Sequence, residues 1–277
     1  MPSHTIYRTP GYVAGPANDG QVWAKALAAA GHEAVLLPLI EIAPAPNSAE
    51  VEQCWAHLPQ FQALMFVSAN AVAGFFANKP THLNAAAAFA PEKCRAWATG
   101  PGTVRALLAH GVPETQIDAP EQNAAQFDSE TLWAKVRAQI KGDEHVLIVR
   151  GAGNQDPEQL ASNPGRDWLA NQLTLAGATV AFCSAYQRAR PELSAAQLAQ
   201  VQRWVNVSDA QKVVWLFSSS EAISNLALAM PGQSWQFARA ICTHPRIAQQ
   251  ARTHGFGVVW ASRPTLEDVV ASIESAA

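Results

Sequence analysis

The segment LMFVSANAV, residues 64–72, sets the fold class of this chain, because a related segment, WLFSSSEAI, recurs at residues 215–223. In each copy a short apolar run ends in serine, Ser68 or Ser219, and leads into a helical pattern. Continuous apolar runs of this length are typical of strands buried on both faces of a parallel sheet. Each copy therefore predicts a strand, a turn and a helix.

A second segment follows each copy in the same order. ATGPG at residues 98–102 matches CTHPR at residues 242–246, and each leads into a stretch that closes at a histidine and a glycine. We expect these histidines, His110 and His254, in the last turn of a helix, where the helix dipole favours them. A repeat of this size predicts two similar lobes with a ligand cleft between them.

Apolar runs alternate with one-sided helical stripes along the chain, which predicts an α/β fold of parallel sheets. The predicted strands span residues 34–37, 63–67, 96–98, 146–149, 178–182, 213–217, 240–242 and 258–260. The clearest helical stripes span residues 22–30, 132–140, 168–176 and 266–273.

Two proline-marked segments, PLIEIAPAP at residues 38–46 and AYQRARP at residues 185–191, interrupt this alternation. Proline limits regular pairing and often marks domain connections, so we interpret them as two crossings that lie side by side. One lobe is then inserted into the other, and each lobe contains one copy of the repeat. The predicted domains are a discontinuous lobe of residues 1–38 and 192–277, an inserted lobe of residues 44–184, and linkers of residues 39–43 and 185–191.

The low content of charged residues makes some classes of function improbable for this chain, nucleic-acid binding above all. The formal net charge is -3 and only 15% of residues are charged, so the basic surface of a nucleic-acid binder is missing. A small polyanion is compatible with this charge, because a few arginines and helix N-termini are enough to bind it. We expect a small-molecule ligand and no nucleic-acid partner.

The spacing of the cysteines and the lengths of the apolar stretches are typical of a cytoplasmic protein. Cys54, Cys94, Cys183 and Cys242 are far apart without a CxxC pair, so we expect reduced thiols and no metal site. The first residues lack the pattern of a secretory signal, and no apolar stretch is long enough to span a membrane. We therefore expect a soluble cytoplasmic protein without a membrane partner.

Ligands of parallel α/β sheets bind beyond the carboxyl ends of the strands, where Ser68 and Ser219 are predicted. Either serine could serve only as a helix N-cap. The turn after the next strand contains Gly100 and Thr103, where a glycine allows backbone N–H groups to approach a carboxylate or phosphate. Thr243 stands at the matching turn of the second copy.

Arg150 and Gly151 end one predicted strand, Arg166 begins the next helix, and Arg8 ends the first strand. Arginines at these places can pair carboxylates, or they can be ordinary solvated charges. Tyr186 lies in the second crossing, where packing of its ring is the competing interpretation. No nucleophile triad, paired carboxylates or metal motif can be assembled from the sequence.

Together these segments resemble the uroporphyrinogen-III synthase family over essentially the whole chain. The segments that carry the resemblance are FVSANAV (66–72), ATGPGTVRALLAHG (98–111), LIVRG (147–151) with Arg166 downstream, AYQRARP (185–191), FSSSEAI (217–223) and THPRIAQQARTHG (243–255). The resemblance implies two flavodoxin-like lobes of the HemD type, one discontinuous, joined by a two-stranded linker.

The resemblance also implies a reaction. Hydroxymethylbilane, a linear tetrapyrrole, loses water and closes to uroporphyrinogen III with its last pyrrole ring inverted, in the biosynthesis of heme, siroheme and cobalamin. Such a hydro-lyase needs no cofactor or metal, acts as a monomer, and could receive its substrate directly from the upstream deaminase. The pyrrole nitrogen expels the hydroxyl group, so the protein mainly has to position the chain.

The resemblance assigns roles to individual residues. Tyr186 matches a tyrosine thought to assist departure of the hydroxyl group, and Thr103, Ser68 and Ser219 match polar residues of the ligand-facing turns. The second turn departs from the family, since His244, Pro245, Arg246 and Ile247 replace a common GPTT. Arg246 then becomes a candidate contact for a substrate carboxylate. The insertion at residues 154–164 is also unusual and is expected to be a mobile loop.

Two other functions compete with the synthase. A two-lobed binding or regulatory protein could close on an anionic metabolite without catalysis, and the missing threonines leave room for this alternative. A nucleotide-dependent transferase could use the same scaffold, although no strong phosphate-binding loop is present.

Overall fold

The computed structural model describes residues 5–8, 19–90, 93–121, 124, 126–152, 164–206 and 212–276. Contacts within the chain divide it into two compact units, one of Met1–Glu41 with Ala189–Ala277 and one of Ile42–Arg188. The divisions therefore fall inside the two linkers predicted at residues 39–43 and 185–191. Of the predicted mobile insertion, residues 154–163 lie outside the described residues.

The discontinuous unit contains, in its described part, a five-stranded sheet of β1 (Thr5–Arg8), β2 (Glu33–Leu36), β9 (Val213–Phe217), β10 (Arg239–Cys242) and β11 (Val258–Ala261). The strand order in this sheet is β11-β10-β9-β1-β2. Its helices are α1 (Asp19–Ala29), α8 (Ala195–Val205), α9 (Ser220–Ala229), α10 (Pro245–Thr253) and α11 (Leu266–Ala276).

The inserted unit contains, among its described residues, a six-stranded sheet of β3 (Glu41–Pro44), β4 (Ala63–Phe66), β5 (Arg95–Ala98), β6 (Ile117–Asp118), β7 (His145–Ala152) and β8 (Thr179–Ala189). The strand order in this sheet is β3-β8-β7-β4-β5-β6. Its α-helices are α2 (Ser48–Ala56), α3 (Ala69–Ala77), α4 (Ala85–Ala88), α5 (Pro101–Ala109), α6 (Ser129–Val136) and α7 (Pro164–Leu175). Short 3-10 helices span Leu58–Gln60, Glu114–Gln116 and Arg137–Gln139.

Parallel pairing confirms the predicted α/β class. Strands β4, β5, β6, β7 and β8 pair in parallel in one sheet, and β1, β2, β9, β10 and β11 do so in the other. Strand β8 extends to Ala189, well beyond the predicted end at residue 182, and it has β3 as its neighbour. Both proline-marked segments thus contribute to paired strands. None of the described helices is long and apolar enough to cross a membrane.

The sequence repeat is also a repeat of backbone register. Phe66 of β4 is in register with Ala98 of β5, and Phe217 of β9 is in register with Cys242 of β10. The helix after the second strand begins with a proline in both copies, a residue whose fixed φ suits the first turn. It ends at His110 or His254, as predicted, followed by a glycine with positive φ.

The sheet of the inserted unit is covered on both faces. Helices α2, α3 and α5 bury one face through residues such as Trp55, Phe75 and Leu107. Helices α6 and α7 bury the other face through residues such as Leu132 and Leu173. Burial on both faces explains why the strands are continuous apolar runs, and it leaves only the strand ends available for polar side chains.

Candidate active site

Ser68 follows strand β4 and is the N-cap of helix α3. Its Oγ accepts a hydrogen bond from the backbone N–H of Ala71, with 3.2 Å between the two atoms. The same Oγ lies 3.3 Å from the hydroxyl oxygen of Tyr186, and Ser68 is partly exposed. Capping and a polar contact at the end of the sheet therefore coexist in one side chain.

A β-bulge in strand β8 decides which face of the sheet Tyr186 joins. Arg150 of β7 is in register with Ser184 of β8. The next residue of β7, Gly151, is in register with Tyr186, so Ala185 is the extra residue. Because the bulge shifts the alternation of side chains, both Ala185 and Tyr186 join the core beside helix α3. An unbulged strand would have pointed Tyr186 away from Ser68.

Gly151 provides the space that the ring of Tyr186 occupies. A Cβ atom at position 151 would lie 2.6 Å from Cζ of Tyr186 and 3.1 Å from its hydroxyl oxygen. Real Cβ atoms essentially never come within 3.0 Å of such a neighbour, so a side chain at this position would require the ring to shift. The predicted ligand-binding residue Gly151 thus acts on the site through Tyr186.

Arg188 completes a chain of polar contacts with Tyr186 and Ser68. Its Nη2 donates a hydrogen bond to the hydroxyl oxygen of Tyr186 at 2.9 Å. The guanidinium carbon lies 5.6 Å from the centre of the tyrosine ring. Tyr186 is only 1% exposed, whereas Arg188 is partly exposed. The sequence predicts Tyr186 as a site residue and does not single out Arg188.

The turn after strand β5 lies beside the turn that contains Ser68. Thr99 Oγ1 donates to the backbone oxygen of Val67 at 3.2 Å and so ties the two turns together. Gly100 is the N-cap of helix α5 and is partly exposed. Thr103, in the first turn of α5, is only 4% exposed. Of the two predicted binding residues in this turn, Gly100 is the more accessible.

Arg150, a predicted arginine of the inserted unit, packs on a different aromatic ring from that of Tyr186. The guanidinium carbon of Arg150 lies 4.1 Å from the ring centre of Phe182. By the alternation along β7, Arg150 points to the opposite face from Gly151. Arg166 is in the first turn of helix α7. Arg150 and Gly151, which are both predicted to bind the ligand, therefore lie on opposite faces of the sheet.

In the discontinuous unit the matching turns carry different chemistry. Ser219 is the N-cap residue of helix α9 but makes no capping hydrogen bond through its side chain. The N–H of Thr243 donates to the backbone oxygen of Phe217 at 3.0 Å. His244 caps helix α10 through Nδ1, which accepts from the N–H of Arg246 at 3.1 Å. Arg246 is exposed, as a residue that captures an anion has to be.

Strand pairing brings together the predicted residues of this unit at one edge of its sheet. Strand β9, which precedes Ser219, pairs with β10, which precedes Thr243 and Arg246. Strand β1, which ends at Arg8, is the other neighbour of β9. The carboxyl ends of neighbouring parallel strands meet at one edge, which is where parallel sheets bind ligands.

All four cysteines are free thiols. Burial raises the pKa of the Cys94 and Cys242 thiols to about 12. Thiols of this kind are poor nucleophiles, because the thiolate is the reactive form. Within the described residues, no cluster of three or more His, Cys, Asp or Glu side chains could hold a metal ion.

These observations define a class: a parallel α/β protein whose strand-end turns carry hydroxyl, backbone N–H and guanidinium groups suited to an anionic ligand. The family follows from comparison with known proteins. The chain belongs to the uroporphyrinogen-III synthase HemD family, whose sequence model matches residues 21–271. The family and the enzyme class expected from the sequence, a uroporphyrinogen-III synthase of tetrapyrrole biosynthesis, are therefore confirmed.

Individual relatives agree with the family. The chain is 27% identical over 250 residues to the uroporphyrinogen-III synthase of Escherichia coli K12, covering 87% of this chain and 89% of that protein. A mutant uroporphyrinogen III synthase from Thermus thermophilus has a similar structure, with a TM-score of 0.58, 14% identity, and coverage of 99% and 98% of the two chains. The enzyme from Helicobacter pylori 26695 gives a TM-score of 0.55 at 14% identity, covering 99% of this chain and all 100% of its own. At this identity the two structures support the fold.

Proposed function

We propose that this chain converts hydroxymethylbilane to uroporphyrinogen III, with loss of water and inversion of the last pyrrole ring. The observation that carries the proposal is the chain of contacts from Arg188 through Tyr186 to Ser68 at the carboxyl end of strand β4. It supplies hydroxyl protons next to a guanidinium group, and this is what departure of the substrate's hydroxyl group requires.

The reaction requires two things of the protein: a proton for the departing hydroxyl group, and correct positioning of the substrate for ring closure. The pyrrole nitrogen pushes out the hydroxyl group and leaves an azafulvene cation, which is reactive by itself. We propose that Tyr186 assists this departure. The last ring must then attack through its substituted carbon and form a spiro intermediate, instead of closing directly to the unrearranged isomer. Holding the reacting atoms in one geometry favours the rearranged product.

The substrate is a polycarboxylate, and the remaining predicted residues are those that we propose to bind it. In the inserted unit they are Ser68, Gly100, Thr103, Arg150, Gly151 and Arg166, and in the discontinuous unit they are Arg8, Ser219, Thr243 and Arg246. The exposure of Arg246 supports its part, because a guanidinium group forms paired hydrogen bonds with carboxylates. The lobe bounds 1–38 with 192–277 and 44–184, a monomeric state, cytoplasmic location and substrate handover from the deaminase belong to the same proposal.

The product isomer tests the proposal. Hydroxymethylbilane, freshly generated by a deaminase, is incubated with the protein, and the oxidised products are separated by chromatography. We expect uroporphyrin III in the presence of the protein and uroporphyrin I with the heat-denatured protein. Isomer I alone in both reactions would leave a protein that binds an anionic metabolite without catalysis.

A further inference from the structure

The phenol of Tyr186 can donate a proton, but its side chain is too deeply buried for a substrate to contact it directly. Only 1% of its surface is exposed, and its hydroxyl oxygen accepts a hydrogen bond from Arg188 at 2.9 Å. Ser68, whose Oγ lies 3.3 Å from that oxygen, is partly exposed. Of the two residues that carry these hydroxyl groups, Ser68 is therefore the one that is open to a substrate.

The hydroxyl protons of the pair can be counted. Ser68 and Tyr186 have one hydroxyl proton each, and either oxygen can be the donor in the contact between them. One proton is used within that contact, so one remains for a third partner. If Tyr186 donates to Ser68, the remaining proton is on Ser68, the more exposed of the two.

The neighbours favour this direction. Arg188 donates to the phenol oxygen, and because a guanidinium group cannot accept a hydrogen bond, that oxygen is held as an acceptor. Its own proton is then directed towards Ser68. The N–H of Ala71 holds Ser68 Oγ in place from the other side at 3.2 Å. At 3.3 Å the contact between the two hydroxyl groups is long, as catalytic hydrogen bonds often are before substrate binds.

We propose that Ser68 is the catalytic residue that contacts the departing hydroxyl group, and that Tyr186 and Arg188 are positioning residues that act through it. This inference rests on the proposed function and specifies its proton path. The hydrogen bond from Arg188 to the phenol oxygen is part of the observation that supports the proposed function, and here its contribution is to orient and polarise the phenol.

The step balances in atoms and electrons. The bond between the hydroxymethyl carbon and its oxygen breaks, and its electron pair goes to the oxygen. That oxygen takes the proton of Ser68 and leaves as water, while Ser68 takes the proton of Tyr186. Tyr186 is left as a phenolate beside the guanidinium group of Arg188. When the macrocycle closes, the ring carbon that forms the last bond releases a proton, which returns through Ser68 to the phenolate.

We call the transfer of a proton from Tyr186 through Ser68 to the departing hydroxyl group the relay. Steady-state kinetics of the full-length protein test it. We expect Ser68→Ala and Tyr186→Phe each to lower kcat about tenfold or more while KM changes less. Groups that act as one unit give non-additive losses, so the double variant should be little slower than the slower single variant. Arg188→Met should lower kcat, and Arg188→Lys, which keeps a charged donor, should recover most of it. A solvent deuterium isotope effect on kcat should be lost in both single variants.

Two controls separate the relay from helix capping. Ser194→Ala removes the N-cap of helix α8 in the other unit and should leave kcat unchanged. Ser68→Thr keeps both the cap and a hydroxyl group and should retain most of kcat.

Three results would overturn the relay. They are a wild-type kcat in Ser68→Ala with a slow Tyr186→Phe, a wild-type kcat in Arg188→Met, or losses that multiply in the double variant. Each of them leaves the proposed function intact, because the wild-type protein would still form isomer III. Failure of the proposed function is recognised separately, by isomer I from the wild-type protein.

Discussion

The two copies of the repeat share a backbone and differ in chemistry. Both place a phenylalanine, Phe66 or Phe217, in register with the last residue of the next strand, and both follow it with a serine at a helix start. Ser68 caps its helix and contacts Tyr186, whereas Ser219 makes no capping hydrogen bond through its side chain. The register is thus shared, while within the described residues the contact between two hydroxyl groups occurs in the first copy.

The helices that follow these serines also differ at one matching position. Gly74 of helix α3 lies against strand β8, where a Cβ atom would be 2.1 Å from the backbone oxygen of Ala185. Its counterpart, Asn225 of helix α9, is 4% exposed and donates from Nδ2 to the backbone oxygen of Leu39 at 2.8 Å. In the first copy the helix can approach the carbonyl group of Ala185 because Gly74 has no side chain. In the second copy the side chain of Asn225 donates a hydrogen bond to the carbonyl group of Leu39.

The largest effect is expected from Gly74→Ala. The added methyl group would overlap the backbone of the bulge, which cannot move as a side chain tip can, so we expect the free energy of unfolding to fall by about 3 kcal/mol. Urea denaturation measures it. Gly102→Ala is the matched control, since among the described residues a Cβ atom there meets only the tip of Arg105, at 3.8 Å. Equal stability of Gly74→Ala and the wild type would show that the helix does not pack closely on the bulge.

Tyr186→Phe is expected to slow turnover more than tenfold, because general acid assistance by a positioned group is worth at least that much. The fold should remain intact, since the ring still fills its place in the core. Initial rates of isomer III formation measure the loss, and circular dichroism checks the fold. An unchanged rate would show that the phenol takes no part in the mechanism. The contact between Ser68 and Tyr186 would then distinguish the two copies of the repeat in packing and not in catalysis.

The bulge explains why the sequence predicted this site only in part. The apolar runs predicted the buried strands, and the serine and proline turns predicted the helix starts, because these features depend on neighbouring residues. The face that Tyr186 joins depends on the pairing of two strands, and one extra residue, Ala185, reverses it. The different directions of Arg150 and Gly151 are set in the same way, because consecutive strand residues point to opposite faces.

A smaller effect is expected from Arg246→Ala in the other copy. Loss of an exposed guanidinium group should raise KM for hydroxymethylbilane about threefold at low salt, with little change in kcat. The difference from the wild type should shrink as salt is added, because salt screens exposed charges. KM values over a salt series measure it. An identical KM at low salt would show that the arginine of this turn does not bind the substrate.

The smallest expected effect is on the way the free energy of unfolding changes with pH. The ring of His110 stacks on Phe76 with 4.6 Å between centres, and burial lowers the pKa of this histidine. The unfolded chain therefore binds the proton more readily, so stability is lost as pH falls from about 6.5, the ordinary pKa of histidine. In His110→Phe the urea midpoint should fall less between about pH 7.5 and about pH 5.5 than in the wild type. Equal falls in both proteins would contradict this.

The isomer ratio as a function of protein concentration tests the central claim most directly. Spontaneous closure to isomer I competes with the catalysed route at a fixed rate, so the fraction of uroporphyrinogen III should rise with the amount of protein until isomer I disappears. The same series with Tyr186→Phe should need more protein to reach the same fraction. A product that remains isomer I at every concentration of the wild-type protein would contradict the account.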